Sequence, residues 1–133
     1  MKKTVLIIFL IIANYSFSQD QSVKLSLPNP SEVIYTSNQV TFPPKFKGGK
    51  NALGAFIKRN FNVKVYKKGE ILVAFIVEKD GKLSEVGVLE DAGKGTADEA
   101  IRVMNNSPKW KPGILNGNPV RVQFSITIPV SPN

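Results

Sequence analysis

Hydrophobic positions recur along this chain with recognisable periods. Leu53, Phe56, Ile57 and Phe61 follow the i, i+3, i+4, i+8 spacing of one helix face, which predicts a helix over residues 51–61. Residues 71–77 (ILVAFIV) are continuously apolar and mostly β-branched or aromatic, the pattern of a strand buried on both faces. Lys79-Asp80-Gly81-Lys82 predicts a hairpin with a type I′ turn, and residues 83–89 (LSEVGVL) its weaker returning strand. Thr96, followed by Glu99, predicts a capping box opening a second helix whose buried stripe is Ala97, Ala100, Ile101 and Met104; residues 105–108 (NNSP) stop it. Val120, Val122, Phe124, Ile126 and Ile128 then alternate with Arg121, Gln123, Ser125 and Thr127, the cleanest period-2 run in the chain.

The order helix, strand, strand, helix, strand predicts an α+β fold, a three-stranded antiparallel sheet with two helices packed on one face. Residues 109–119, with Trp110 and the turn at Asn116-Gly117, read as a loop, and residues 31–41 give no clear signal. The domain organisation expected is a signal peptide over 1–18, a loosely ordered leader over 19–41 and one domain over 42–133. In the leader, residues 23–27 (VKLSL) alternate as an edge strand would.

The signal reading rests on Lys2 and Lys3, the apolar run of residues 4–13 and small residues at Ser16 and Ser18. Asn14 interrupts that run at about half of the ~20 apolar residues a spanning helix needs. Cleavage after Ser18 would leave no membrane span in the mature chain and place it in the periplasm. It would also lower the net charge from +8 to +6. A basic balance invites a nucleic-acid reading, which export argues against.

The chain of 133 residues contains no His and no Cys. Its length supports one small domain. The missing residues remove disulfides, thiol nucleophiles, Cys-based metal sites and the commonest general base. The adjacent carboxylates Glu90-Asp91 and Asp98-Glu99 do not make a catalytic pair in a cleft, since the second is explained by capping. No cofactor, metal or enzymatic activity is expected; the composition favours a binding module.

Several segments stand in the order of one known family. They are Phe46-Lys47-Gly48-Gly49, the hairpin Gly69–Val77 with Asp80-Gly81-Lys82-Leu83, and Asp98-Glu99-Ala100-Ile101-Arg102-Val103. The most diagnostic is Ser107-Pro108-Lys109-Trp110-Lys111-Pro112-Gly113 followed by Asn116-Gly117-Asn118-Pro119-Val120. Over about residues 42–130 the chain resembles the C-terminal domain of TonB, the periplasmic protein that passes energy to outer-membrane transporters of Gram-negative bacteria. The family's anchoring helix and proline-rich linker find no counterpart in residues 1–41, and Phe61-Asn62-Val63 stands where Tyr-Pro is common.

The resemblance implies strand addition, in which a sheet edge accepts an extended segment, the TonB box, from a transporter or similar envelope protein. It implies that the docking strand comprises Val120, Arg121, Val122, Gln123, Phe124, Ser125, Ile126, Thr127 and Ile128. Lys109, Trp110 and Lys111 are secondary contact candidates, although a lone Trp more often packs in a core and paired lysines are more often solvated. The alternative is a stand-alone envelope domain that binds cell-wall polymer, lipid or itself through basic charge, without an energy-transducing role.

Overall fold

The period-2 run forms the longest strand among the described residues, and all other described strands but one pair with it. The computed structural model describes residue 29 and residues 31–132. The expected signal peptide and the alternating run at 23–27 lie outside the described residues. The elements are β1 (Ile34–Thr36), a 3-10 turn at Ser37–Gln39, α1 (Gly49–Asn60), β2 (Gly69–Val77), β3 (Leu83–Glu90), α2 (Thr96–Asn105), β4 (Gly113–Leu115) and β5 (Asn118–Val130).

The fold is α+β, with one correction to the expected sheet. Among the described residues it has five strands rather than three and is mixed rather than antiparallel. The strand order is β1-β5-β2-β3, with β4 also pairing β5, and β1 runs parallel to β5. Both additional strands are three residues long. At that length no alternation can register, and only their pairing with β5 makes them strands.

Both helices pack on one face. Ile71, Val73, Phe75 and Val77 alternate along β2 and share a single core with Ile57 of α1 and Ala100, Val103 and Met104 of α2. β2 and β5 pair through nine consecutive residues without a register shift, from Gly69↔Val130 to Val77↔Val122. The β2–β3 pairing is broken twice by register shifts, and Glu85 in β3 has a φ of 49°.

Two local expectations change. The Asp80-Gly81 turn is not type I′, because only Gly81 has positive φ (88°). It is a three-residue connection closed by Glu78 N–H donating to the Lys82 carbonyl (2.8 Å), with Gly81 in the left-handed position. The type I′ signature instead belongs to Asn116 (φ 50°) and Gly117 (φ 84°), between β4 and β5. The capping box is also absent: Gly95 is the N-cap of α2 and makes no side-chain cap. Thr96 is buried; its hydroxyl donates to the Gly93 carbonyl (2.6 Å) and accepts from Ala92 N–H (3.0 Å). Glu99 turns away to accept from Asn62 N–H (2.7 Å) and to pair with Arg102.

Trp110 closes the core. It is only 4% exposed and packs against Phe46, Phe75 and Phe124 at ring-centroid distances of 5.4, 5.2 and 6.0 Å. Its indole N–H donates to Ser107 Oγ (3.3 Å) and its backbone N–H to the Gly81 carbonyl (2.9 Å). The backbones approach so closely there that a Cβ on Gly81 would stand 2.1 Å from the Trp110 carbonyl oxygen.

Where β5 passes the end of β2, Arg121 makes a bidentate ion pair with Glu78 (2.7 and 2.9 Å). Ser84 Oγ donates to the same carboxylate (2.6 Å). Hydrogen bonding from Arg121 is the main reason the Glu78 carboxyl titrates below its ordinary value of 4.5.

Three stability predictions follow from these contacts. Trp110→Ala should cost about 3–5 kcal/mol in a denaturant titration. Gly81→Ala should cost about 2 kcal/mol or more, through positive φ and the clash together. A carboxyl whose folded pKa is depressed stabilises above its unfolded pKa and loses that contribution as pH falls through the folded one. Each partner's side chain is about a quarter exposed, so Glu78→Gln should cost about 1 kcal/mol at pH 7. The difference from the parent should shrink progressively below about pH 4.5.

Candidate docking edge

Backbone alternation along β5 identifies its free edge. Ile114 in β4 exchanges both its backbone hydrogen bonds with Phe42 (2.9 and 3.0 Å), so its amide faces away from β5. The flanking Gly113 and Leu115 therefore face β5 and bond Val120 and Asn118. Trp110 is held to Gly81 in the β2–β3 turn, which sets β4 beyond the end of β2 on the same side of β5. Even-numbered residues of β5 thus turn their amides to β4 and β2, and odd-numbered residues to the opposite edge. Pro119 and Pro129, which have no N–H, are both odd.

On that opposite edge, β1 covers residues 121–123 and then leaves, with Thr36 paired to Gln123. Thr36 N–H is taken by Gln39 Oε1 (2.9 Å), and the 3-10 turn carries the chain away. From Phe124 onward, no strand among the described residues pairs with this edge. It offers N–H and C=O groups of Ser125 and Thr127, and the C=O of Pro129. The other outer strand, β3, is interrupted by its register shifts and carries exposed Glu85 and Glu90. Irregularity and charge of that kind blunt an edge against pairing.

A groove of about 1030 Å³ runs beside the open edge. One wall is β5 from Phe124 to Val130. The other is α1, through Leu53, Gly54 and Ile57, continued by Phe61, Val63 and Val65. Pro43, Pro44 and Phe46 complete the lining. The α1 wall is tied to α2: Arg102 donates to the Asn60 carbonyl (2.6 Å) while Glu99 holds Asn62 N–H. Hydrogen bonding from Arg102 is the main reason the Glu99 carboxyl also lies below its ordinary pKa.

The expected docking residues divide along β5. Val120 pairs with β4, and Arg121, Val122 and Gln123 stand opposite β1, with Arg121 engaged by Glu78. Phe124, Ser125, Ile126, Thr127 and Ile128 line the groove. Trp110 is a core residue at the base of that groove, while Lys109 and Lys111 are exposed. The α1 wall carries no residue of the expected docking strand. Its amphipathic spacing reads from sequence as core, and only the tertiary structure shows that part of the stripe faces the groove.

Charge is distributed unevenly about the edge. Residues 33–69 contain eight Lys and Arg and no Asp or Glu. Three of these lysines, Lys45, Lys50 and Lys58, line the groove, and no acidic side chain does. The field there favours an anionic or acidic guest.

Searches of curated proteins and of solved structures returned no match to the chain. A family model described as "Gram-negative bacterial TonB protein C-terminal" matches residues 63–130, just over half of the chain. That span begins in the groove's far wall and includes β2, β3, α2, β4 and β5. With this match on the fold just described, the chain belongs to the TonB C-terminal domain family.

Proposed function

We propose that this protein is a periplasmic docking module of TonB-dependent transport, which takes an extended segment of an outer-membrane transporter as an added strand on β5. The family is a periplasmic, non-enzymatic binding domain, and its members interact with outer-membrane transporters. The observation that carries the reading to this chain is the edge at Ser125 and Thr127, which no strand among the described residues pairs, beside an apolar groove. An added strand lies about 4.8 Å from its neighbour and gains main-chain hydrogen bonds. Its groove-facing side chains extend the row of Phe124, Ile126 and Ile128, replacing water over the half-buried Phe124 and Ile126.

The concentration of base in residues 33–69 supports a second reading, in which the exposed lysines hold an anionic envelope polymer or lipid. Such binding is screened by salt and does not depend on the strand edge.

The two readings separate in a capture experiment on detergent-solubilised outer-membrane proteins. Ser125→Pro removes a donor that faces the open edge and none that faces β2, so the circular dichroism spectrum should be preserved. Strand addition predicts that transporters are retained by the parent protein and at least tenfold less by the variant. Equal retention by both, lost on raising salt, would instead establish charge-driven binding.

A further inference from the structure

The middle of α1 contains a glycine that the free protein does not need. Gly54 has ordinary helical φ, and a Cβ built on it would meet nothing within 4 Å. Neither backbone conformation nor packing calls for glycine there, and glycine in a helix interior is destabilising relative to alanine. Gly54 is exposed and lines the groove. Lys50 and Lys58 stand one helical turn from it in the same row, at i−4 and i+4, and both also line the groove. The adjacent row, Leu53, Ile57 and Phe61, supplies an apolar floor.

We propose that Gly54 opens a seat in the α1 wall for one large apolar side chain of an extended, acidic peptide, with Lys50 and Lys58 meeting carboxylates on either side. The proposal rests on the strand-addition reading and adds a specificity-determining position to it. A strand on the β5 edge turns alternate side chains into the groove. A guest side chain facing Gly54 covers the Leu53–Ile57 floor without meeting a rim side chain, whereas any larger residue at position 54 fills that space. The peptide's acidic character follows from the lining, which has three lysines and no carboxylate.

The test uses a fluorescent nonapeptide, Val-Thr-Asp-Thr-Phe-Thr-Asp-Thr-Val, whose carboxylates flank Phe at about the spacing of Lys50 and Lys58 from Gly54, and two variants, one with Ala for Phe and one with Lys for both Asp. Affinities are measured for the parent protein and for Gly54→Ala, Gly54→Leu and Ser125→Pro, alongside melting curves. The parent should bind the Phe peptide about tenfold or more tightly than the Ala peptide, and the Lys peptide more weakly still at low salt. Gly54→Leu should bind both Phe and Ala peptides with similar, reduced affinity. Gly54→Ala should melt a few degrees higher than the parent, as relief of the helix penalty requires, and lose part of the preference for Phe. An unchanged Phe preference in Gly54→Leu would overturn the seat. Equal binding of all three peptides, abolished by Ser125→Pro, would also overturn it while leaving strand addition standing. Peptide binding indifferent to Ser125→Pro would remove both readings. So would self-association in sedimentation that Ser125→Pro abolishes and excess peptide does not reverse, because the edge and its groove would then belong to a second copy of the chain.

Discussion

The unbroken antiparallel ladder between β2 and β5 is the constraint on which the rest of this structure depends. Nine consecutive pairs leave no place for a slip, and a slip by one residue would turn Ile71, Val73, Phe75 and Val77 out of the core. The same ladder commits one set of β5 amides to β2. The complementary set must find partners on the other side, and β1 supplies them only as far as Gln123. The open edge is thus a consequence of two lengths: a long β5 and a short β1.

Trp110 links this ladder to the remainder of the domain. It packs on Phe75 from β2, Phe124 from β5 and Phe46 from the segment before α1, while its backbone binds the β2–β3 turn. One side chain therefore brings together the strand that carries the edge, the hairpin that supports it and the chain leading into the groove wall. That wall is held from the other side by the Arg102 and Glu99 contacts to Asn60 and Asn62. Contacts outside the edge itself therefore hold both the strand that carries it and the opposite wall of the groove.

Electrostatics divide along the same line. Residues 33–69 are basic without exception among their charged side chains, whereas every acidic residue from Glu70 onward lies in the strands, α2 and their turns. Glu78 and Glu99 spend their charge internally, on Arg121 and Arg102. The lysines of the groove have no such partners among the groove's lining residues. The family match covers β2 to β5 but not α1, which carries Gly54 and its flanking lysines.

Much of the fold was legible in the amino-acid order because burial imposes periods. The two helices, the β2–β3 hairpin and β5 all follow from spacing that water and chain geometry dictate locally. The edge was legible only in part. Alternation marked β5 as half-exposed, but nothing local to residues 118–130 tells which of them will be covered by a neighbour. That was decided by β1 and β4, three-residue strands with no pattern of their own. The turns show the same division: Asp80-Gly81 and Asn116-Gly117 carry the same type of signal, yet only the second is type I′. The first closes a three-residue connection in which only Gly81 has positive φ, lying against the Trp110 backbone. Sequence by itself determined which residues must be buried and with what period. Tertiary structure alone decided which backbone groups were left unpaired and what faced them, because pairing depends on segments distant along the chain.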